Sequence, residues 1–182
     1  MPGIGSHEIP NEGKTNSWIT PKYIIDDLGP FDLDPCACID QPWPCAKKSF
    51  NKIDDGFNSK WEGNIWLNPP YGPHTGKWLN KLAKHGKGIA LVFARTDTKF
   101  FINEVWGRAS GILFISGRLQ FYKQDGTIGK GNSGGPSVLI SYGRFNKDKL
   151  KNSNIKGAFI DNWKNNTGIS NKNEQLILST TY

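Results

Sequence analysis

The chain has 182 residues, which is enough for one domain, and 36% of them are apolar, which supports one hydrophobic core and excludes disorder throughout. No run approaches the roughly 18–20 apolar residues of a membrane span, and no signal peptide precedes the glycine-rich start. We therefore expect a cytoplasmic protein with no membrane partner, and the net charge of +7 favours a polyanion such as nucleic acid.

The first elements expected are an arm and a helix. Residues 1–17 carry glycine, proline and charge without periodicity, and we interpret them as a flexible arm. The apolar spacing after Trp18 predicts an amphipathic helix that ends near Leu28, with Thr20 as its N-cap and Pro21 as its first helical position. The start of such a helix can bind a carboxylate.

A short acidic turn follows this helix. Residues 31–33 are expected to form a strand that runs into Asp34, Pro35, Cys36 and Ala37. Small residues in such a turn let the backbone approach a ligand while the carboxylate meets a cation. S-adenosylmethionine carries a sulfonium and an α-ammonium group, so the Asp34 carboxylate is a candidate ligand for that molecule.

The cysteines do not predict a metal site. Cys36, Cys38 and Cys45 have the spacing C-x-C-x₆-C, whereas a structural zinc site usually pairs ligands two to four residues apart in two separate hairpins. An odd number of cysteines also favours reduced thiols. We expect no metal, and interpret Cys36 as a small residue of the turn.

The most informative segment is Asn68, Pro69, Pro70 and Tyr71, which follows the apolar run of residues 65–67. The run predicts a short buried strand, and the two prolines end it. The Asn68 amide oxygen and the Pro69 carbonyl can accept both hydrogens of one exocyclic amine. Tyr71 offers a flat face for the ring that carries the amine. Taken alone, Pro-Pro-Tyr-Gly is more often just a turn.

The rest of the chain alternates between strands and helices. Helices are expected over residues 76–85 and from Thr96 or Asp97 to about Arg108, and strands over residues 88–94, 112–116 and 137–142. Such alternation with short connections predicts a mainly parallel sheet with helices on both faces.

The order of these motifs resembles the amino-methyltransferases of DNA, above all the small phage-encoded DNA N6-adenine methyltransferase (Dam-like) family. The resemblance covers about residues 18–143 and includes Thr20-Pro21, Asp34 to Ala37, Trp61-Glu62-Gly63, Asn68 to Gly72 and Gly117-Arg118-Leu119. The chain lacks the Gly-x-Gly of many methyltransferases, and the turn at Asp34 resembles the variant of adenine enzymes whose cofactor loop precedes the catalytic motif.

The resemblance implies a compact, Rossmann-like class I methyltransferase fold over residues 18–143, with S-adenosylmethionine as cofactor and the last strand inserted antiparallel. By position, Asp55 matches the acid that binds the adenine amine of the cofactor, and Phe57 can pack on that adenine. An Asp-Gly turn is the simpler interpretation of Asp55. The phage likeness implies protection of DNA from host restriction.

Double-stranded DNA is the implied partner, and the domain leaves no room for a separate recognition domain. Residues 118–136 are expected to form a DNA-contacting hairpin and mobile loop, or merely a surface hairpin. The candidate contacts to base edges and phosphates are Arg95, Lys99, Arg118, Gln120, Lys123 and Lys130. Residues 144–182 form a basic extension rich in Asn and Lys, which we expect to dock on the core while adding weak electrostatic attraction.

The expected reaction is a direct, in-line transfer of a methyl group to N6 of adenine. The adenine must first be flipped out of the duplex. Cytosine N4 also presents an exocyclic amine and stays possible from the residues. The tetrapeptide is shared with methyltransferases of RNA and of protein glutamine, and a non-catalytic DNA-binding module would explain the charge but not the cofactor turn. The target sequence and the oligomeric state are not predicted.

Overall fold

The computed structural model describes residues 18–129 and 133–163, so the expected arm, Lys130 and the end of the extension lie outside the described residues. The helices are α1 (Lys22–Leu28), α2 (Thr75–His85), a π-helix (Phe101–Trp106) and α3 (Arg144–Lys151). The strands are β1 (Leu33–Asp34), β2 (Lys48–Ser49), β3 (Ile65–Leu67), β4 (Gly88–Phe93), β5 (Gly111–Ile115), β6 (Ser137–Tyr142) and β7 (Gly157–Ile160). None of the helices within the described ranges has the length and apolar character needed to cross a membrane.

The strands form one mixed sheet in the order β2-β1-β3-β4-β6-β5-β7. The pairs β1–β2, β1–β3 and β3–β4 are parallel. Strand β6 lies between β4 and β5 and is antiparallel to both, as expected. Strand β7 pairs antiparallel with β5, so β1 to β5 share one direction while β6 and β7 run against it. A mixed α/β architecture is confirmed.

The sheet has an apolar layer on each face, as the alternation of side chains in β3 illustrates. Ile65 and Leu67 point to a core that also contains Leu79 of α2 and Phe101 of the π-helix. Trp66 points to the opposite core, which contains residues of α1 and α3. Both faces of the sheet are thus covered by helices, as predicted.

The predicted start of α1 and the predicted bounds of β1 are wrong. Pro21 is the N-cap of α1, which begins at Lys22, and none of the described side chains caps this helix. Thr20 does not cap it, because its hydroxyl accepts a hydrogen bond from Asn68 and its carbonyl accepts one from the Trp43 indole. Strand β1 begins at Leu33, later than the expected residues 31–33, because the Asp32 carboxylate and backbone are engaged with residue 64 instead.

The helix expected from Thr96 or Asp97 to Arg108 is shorter than predicted. A turn follows β4, in which the Thr98 hydroxyl donates to the Arg95 carbonyl at 2.7 Å. The backbone N–H of Thr98 donates to the same carbonyl. The helical segment then begins with Lys99 and Phe100 and continues as a π-helix over Phe101–Trp106.

The described part of the extension is built into the sheet. Helix α3 places Leu150 in the core, and β7 forms an edge strand beside β5. Gly88, at the start of β4, pairs with Tyr142, at the end of β6. Helix α3 follows β6 and therefore begins at the edge of the sheet where β4 starts. The carboxyl ends of β1, β3 and β4 meet at the opposite edge, which is where ligands bind in open α/β sheets.

Candidate active site

A cavity of about 950 Å³ opens at the carboxyl ends of β1 and β3. This volume lies within the usual range of small-molecule sites. The cavity brings together most of the residues predicted for catalysis and cofactor binding: Thr20, Asp34, Pro35, Cys36, Ala37, Asp55, Phe57, Asn68, Pro69, Pro70 and Tyr71. Pro21, also predicted, is not among the residues that line it.

The orientation of the Asn68 side chain is fixed by two acceptors. Its Nδ2 donates to the Trp18 carbonyl at 3.2 Å and to the Thr20 hydroxyl at 3.3 Å. A carbonyl can only accept, so the Asn68 nitrogen must face Trp18 and Oδ1 must face away from it. Asn68 Oδ1 is buried and has no hydrogen-bond donor among the described residues. The site therefore presents one oriented acceptor that no group of the described residues uses.

The backbone of the same turn supplies a second acceptor. The Asn68 carbonyl is occupied, because the Cys36 thiol donates to it at 3.1 Å. The Pro70 carbonyl is also occupied, by the Thr75 hydroxyl at 2.9 Å. Within residues 18–129 and 133–163 the Pro69 carbonyl has no such donor. Asn68 and Pro69 are each followed by a proline, which has no backbone N–H to donate.

Tyr71 lies beyond the two prolines and is 40% exposed. One face of its ring stacks on Phe93, with ring centroids 4.4 Å apart and an angle of 22° between the planes. Burial raises the pKa of the Tyr71 hydroxyl, and the positive charge of Arg95 opposes that rise. Phe93, which the sequence analysis missed, ends β4 and covers one face of the Tyr71 ring.

Asp34 ends β1 and is 3% exposed. Burial raises the pKa of its carboxyl group to about 7, against the opposing effect of a hydrogen bond from the Cys36 backbone N–H at 3.1 Å. The carboxylate has no cation beside it in the described chain, since all of the ion pairs there involve other acids. A buried carboxylate of this kind gains most from a cationic ligand.

Asp55 and Phe57 belong to a loop that packs against the turn at Asp34. A Cβ on Gly56 would lie 2.0 Å from the Pro35 carbonyl oxygen, so only glycine lets the two segments meet this closely. Asp55 adopts a positive φ of 47°, and one of its oxygens accepts a hydrogen bond from the Asn58 amide at 2.7 Å. The Asp-Gly turn is thus present, and it carries Asp55 into the cavity wall.

Helix α2 holds this loop in place through Lys81, another residue that the sequence analysis missed. The Lys81 ammonium donates to the carbonyls of Phe57 and Ser59, the latter at 2.7 Å, and lies 4.7 Å above the centre of the Trp61 ring. Trp78 packs edge-on against Phe57 with centroids 5.1 Å apart. A lysine within an amphipathic helix gave no signal for this role, because such residues usually face solvent.

The candidate DNA contacts lie around the cavity rather than in it. Arg95, Lys99, Arg118, Gln120 and Lys123 are all exposed, and none of them lines the cavity. The hairpin that carries Lys123 is anchored by antiparallel bridges of Tyr122 to Ile19 and to Ile128. The next residue along, Gln124, reaches the cavity wall.

No group of three His, Cys, Asp or Glu side chains that could hold a metal ion occurs in the described ranges. All three cysteines line the cavity, with Cys36 engaged at the Asn68 carbonyl.

A comparison with protein families matches residues 7–178 to the model described as DNA N-6-adenine-methyltransferase (Dam). Searches of curated proteins and of solved structures returned no match.

Proposed function

Since the chain belongs to the DNA N-6-adenine-methyltransferase (Dam) family, which implies methylation of adenine N6 in DNA, we propose that it performs this reaction with S-adenosylmethionine on a flipped base. The single observation that carries the mechanism is the unpaired Asn68 Oδ1, oriented by the contacts of its Nδ2.

We propose further that the fold is of the Rossmann-like class I methyltransferase type. Support comes from helices on both faces of the sheet, the parallel strands β2-β1-β3-β4, and β6 inserted antiparallel before β5. In such a sheet the ligand lies at the carboxyl ends of the parallel strands. The cavity at β1 and β3 occupies that edge.

The residues of the cavity fit S-adenosylmethionine. Asp34 supplies a buried carboxylate for a cationic group, and Asp55 supplies an acceptor for an adenine amine at the other wall. Phe57, held by Trp78, offers an aromatic edge or face to the adenine ring. The cofactor, when bound, provides a methyl group on a sulfonium, which is an electrophile strong enough for a weakly nucleophilic amine.

In the proposed mechanism Asn68 and Pro69 activate the target amine. The lone pair of adenine N6 is delocalised into the ring, which makes the amine a poor nucleophile. Acceptance of its two hydrogens by Asn68 Oδ1 and by the Pro69 carbonyl favours a tetrahedral nitrogen with a localised lone pair. After transfer the nitrogen is cationic and loses a proton to solvent, so the site needs no strong general base.

Tyr71 positions the base in this proposal. The target atom lies inside the duplex stack, so the nucleotide must leave it before reaction. The face of Tyr71 opposite Phe93 offers a stacking surface, which is worth about 1–3 kcal/mol in comparable cases. Arg95 beside Tyr71 and Lys123 on the neighbouring hairpin supply positive charge for the phosphates. Protection of phage DNA from host restriction is the biological role we propose.

The test is transfer of tritiated methyl groups to duplex DNA, followed by identification of the modified nucleoside. N6-methyladenine is expected, and Asn68→Ala should abolish transfer while leaving binding of S-adenosylhomocysteine within a few-fold. The exposed Asn152, at the far end of α3, gives the matched control Asn152→Ala, which should keep full activity. Detection of N4-methylcytosine, or of label only on RNA or protein, would contradict the proposal and favour the corresponding alternative. An Asn68→Ala variant with a tenth of the wild-type turnover would remove the assigned role.

A further inference from the structure

Trp66, in the middle of β3, has a polar group with no hydrogen-bond partner in the part of the chain that the structure describes. Its side chain is fully buried, it lines the cavity, and its Nε1–H has no acceptor among the described residues. A buried donor without an acceptor lowers the stability of a fold. By comparison, the indole N–H groups of Trp43 and Trp61 both donate to backbone carbonyls, at 3.1 Å and 2.8 Å.

Few of the unpaired buried atoms belong to the cavity. Those on Asn64, Ser137 and Asn146 belong to residues that do not line it. Within the described ranges, the two such atoms on residues that line the cavity are Asn68 Oδ1 and Trp66 Nε1, one acceptor and one donor. Asn68 directly follows β3 and precedes a proline, which favours an extended backbone, so its side chain continues the alternation and projects to the same side of the sheet as Trp66. The acceptor is already assigned to the target amine, which leaves the donor for a different ligand group.

Asp34 is the neighbour of Trp66 across the sheet. Leu33 and Ile65 are partners in the parallel pair of β1 and β3, so the next residues, Asp34 and Trp66, lie side by side on one face. Both are buried and both line the cavity. A carboxylate that lacks a cation thus stands next to an N–H that lacks an acceptor.

We propose that Trp66 and Asp34 together bind the α-amino-acid end of S-adenosylmethionine, with the Trp66 indole N–H donating to its carboxylate. The inference rests on the proposed function. Asp34 faces the ammonium group, and in an α-amino acid the carboxylate is attached to the same carbon as that ammonium. A partner for the carboxylate must therefore lie close to Asp34, as Trp66 does. Lys52 also lines the cavity, but it is exposed in the loop after β2.

The experiment compares two ligands by calorimetry. S-adenosylhomocysteine has the amino-acid end, whereas 5′-methylthioadenosine keeps the adenosine and the thioether but lacks that end. Trp66→Phe removes the N–H and keeps an aromatic ring in the core. A hydrogen bond to a charged group is stronger than one between neutral groups, so the variant should bind S-adenosylhomocysteine about tenfold more weakly or worse. Its affinity for 5′-methylthioadenosine should stay within about twofold, and Lys52→Gln should leave both affinities unchanged.

Equal losses for the two ligands would mean that Trp66 acts only through packing, and no loss for either would mean that its N–H does not meet the ligand; both overturn the inference. A selective loss in Lys52→Gln without one in Trp66→Phe overturns it too, because it moves the carboxylate to Lys52. If the wild-type protein binds neither S-adenosylmethionine nor S-adenosylhomocysteine, the proposed function itself fails.

A second measurement covers the case in which Trp66→Phe does not fold. In the wild-type protein with ¹⁵N-labelled indoles, one N–H signal should move downfield on addition of S-adenosylhomocysteine and not on addition of 5′-methylthioadenosine. Absence of such a signal among the seven tryptophans overturns the inference.

Discussion

The hydroxyl of Thr75 donates to the carbonyl of Pro70 at 2.9 Å and so ties the first turn of α2 to the turn that carries Asn68 and Tyr71. The same hydroxyl accepts the Gly72 N–H at 3.0 Å. Further along this helix, Lys81 binds two carbonyls of the loop that carries Phe57. One helix therefore contacts both the turn that carries Asn68 and the loop that carries Phe57, and both segments line the cavity.

Replacement of Thr75 should lower the rate of methyl transfer without weakening cofactor binding. Thr75→Val keeps the shape of this buried side chain and removes its hydroxyl. The Pro70 carbonyl and the Gly72 N–H then lose their partner, and the turn that sets the positions of Asn68 and Tyr71 loosens. We expect a fall in single-turnover rate of about tenfold or more, because small misplacements of catalytic groups are costly.

Thr75→Ser is the matched control, since it restores the hydroxyl and should recover most of the rate. Affinity for S-adenosylhomocysteine, measured in parallel, should change little in either variant. A Thr75→Val protein that reacts at the wild-type rate would show that the turn needs no support from α2.

Removal of the Lys81 ammonium should weaken binding of the adenosine part of the cofactor. Lys81→Met leaves the carbonyls of Phe57 and Ser59 without a donor, so the loop with Asp55 loosens. We expect calorimetry to show a loss of about fivefold or more for S-adenosylhomocysteine and for 5′-methylthioadenosine alike, whereas Trp66→Phe should separate the two ligands.

Two variants control for the Lys81 experiment. Lys81→Arg offers several N–H donors and should retain much of the affinity. Lys84→Met changes an exposed lysine of the same helix and should have no effect on either ligand. Loss of affinity in Lys84→Met as well would attribute the effect to general charge instead of to the contacts of Lys81.

Cofactor affinity should depend on pH through Asp34. Burial raises the pKa of this carboxyl to about 7, so below that pH the free protein holds it neutral. A cationic ligand needs the carboxylate, and its binding must then release a proton. Affinity for S-adenosylhomocysteine should rise by up to about tenfold per pH unit towards pH 7 and level off above it. Asp34→Asn should bind weakly with no such dependence.

The same shift sets the sign of a stability effect. The unfolded chain titrates Asp34 near its ordinary pKa of about 3.9, while the fold favours the protonated form. The ligand-free protein should therefore lose stability relative to Asp34→Asn as pH rises from about 4 through 7, as thermal unfolding would show. Parallel unfolding curves for the two proteins over this range would mean that the Asp34 pKa is not raised.

Much of the site followed from local sequence, because prolines and buried runs constrain the backbone locally. The prolines after Leu67 end β3 where predicted, and the small residues after Asp34 form the turn that lines the cavity. The N-cap prediction for Thr20 is wrong because the Thr20 hydroxyl is hydrogen-bonded to Asn68. The two residues are 48 positions apart, and no local sequence pattern predicts such a contact.

The supporting residues were not predictable for the same reason. Phe93 and Trp66 have the sequence pattern of ordinary strand residues. Their positions beside Tyr71 and Asp34 depend on the pairing of β3 with β4 on one side and with β1 on the other. The strand β7 was also missed as a strand, because its short run, Gly157–Ile160, gains its structure only from pairing with β5. Tertiary pairing overrides local preference in such short segments.

The last prediction concerns the contacts that hold the DNA. Lys123 is exposed on the hairpin whose next residue reaches the cavity wall. If Lys123 meets a phosphate, Lys123→Gln should weaken duplex binding about equally for all sequences. It should also reduce the slope of log affinity against log salt by about one, because one fewer counterion is released. Fluorescence anisotropy with several duplexes over a salt series measures both quantities.

Lys151→Gln is the matched control for Lys123. Lys151 ends α3, a helix that starts at the edge of the sheet opposite the cavity, and pairs with Asp161 at 3.7 Å. Its replacement should leave DNA affinity and the salt slope unchanged, and binding of S-adenosylhomocysteine should be unaffected in both variants. A loss confined to one DNA sequence would place Lys123 at a base edge instead of a phosphate. No loss for any sequence would shift the contact surface to Arg95 and Lys99, which follow β4 beside Tyr71.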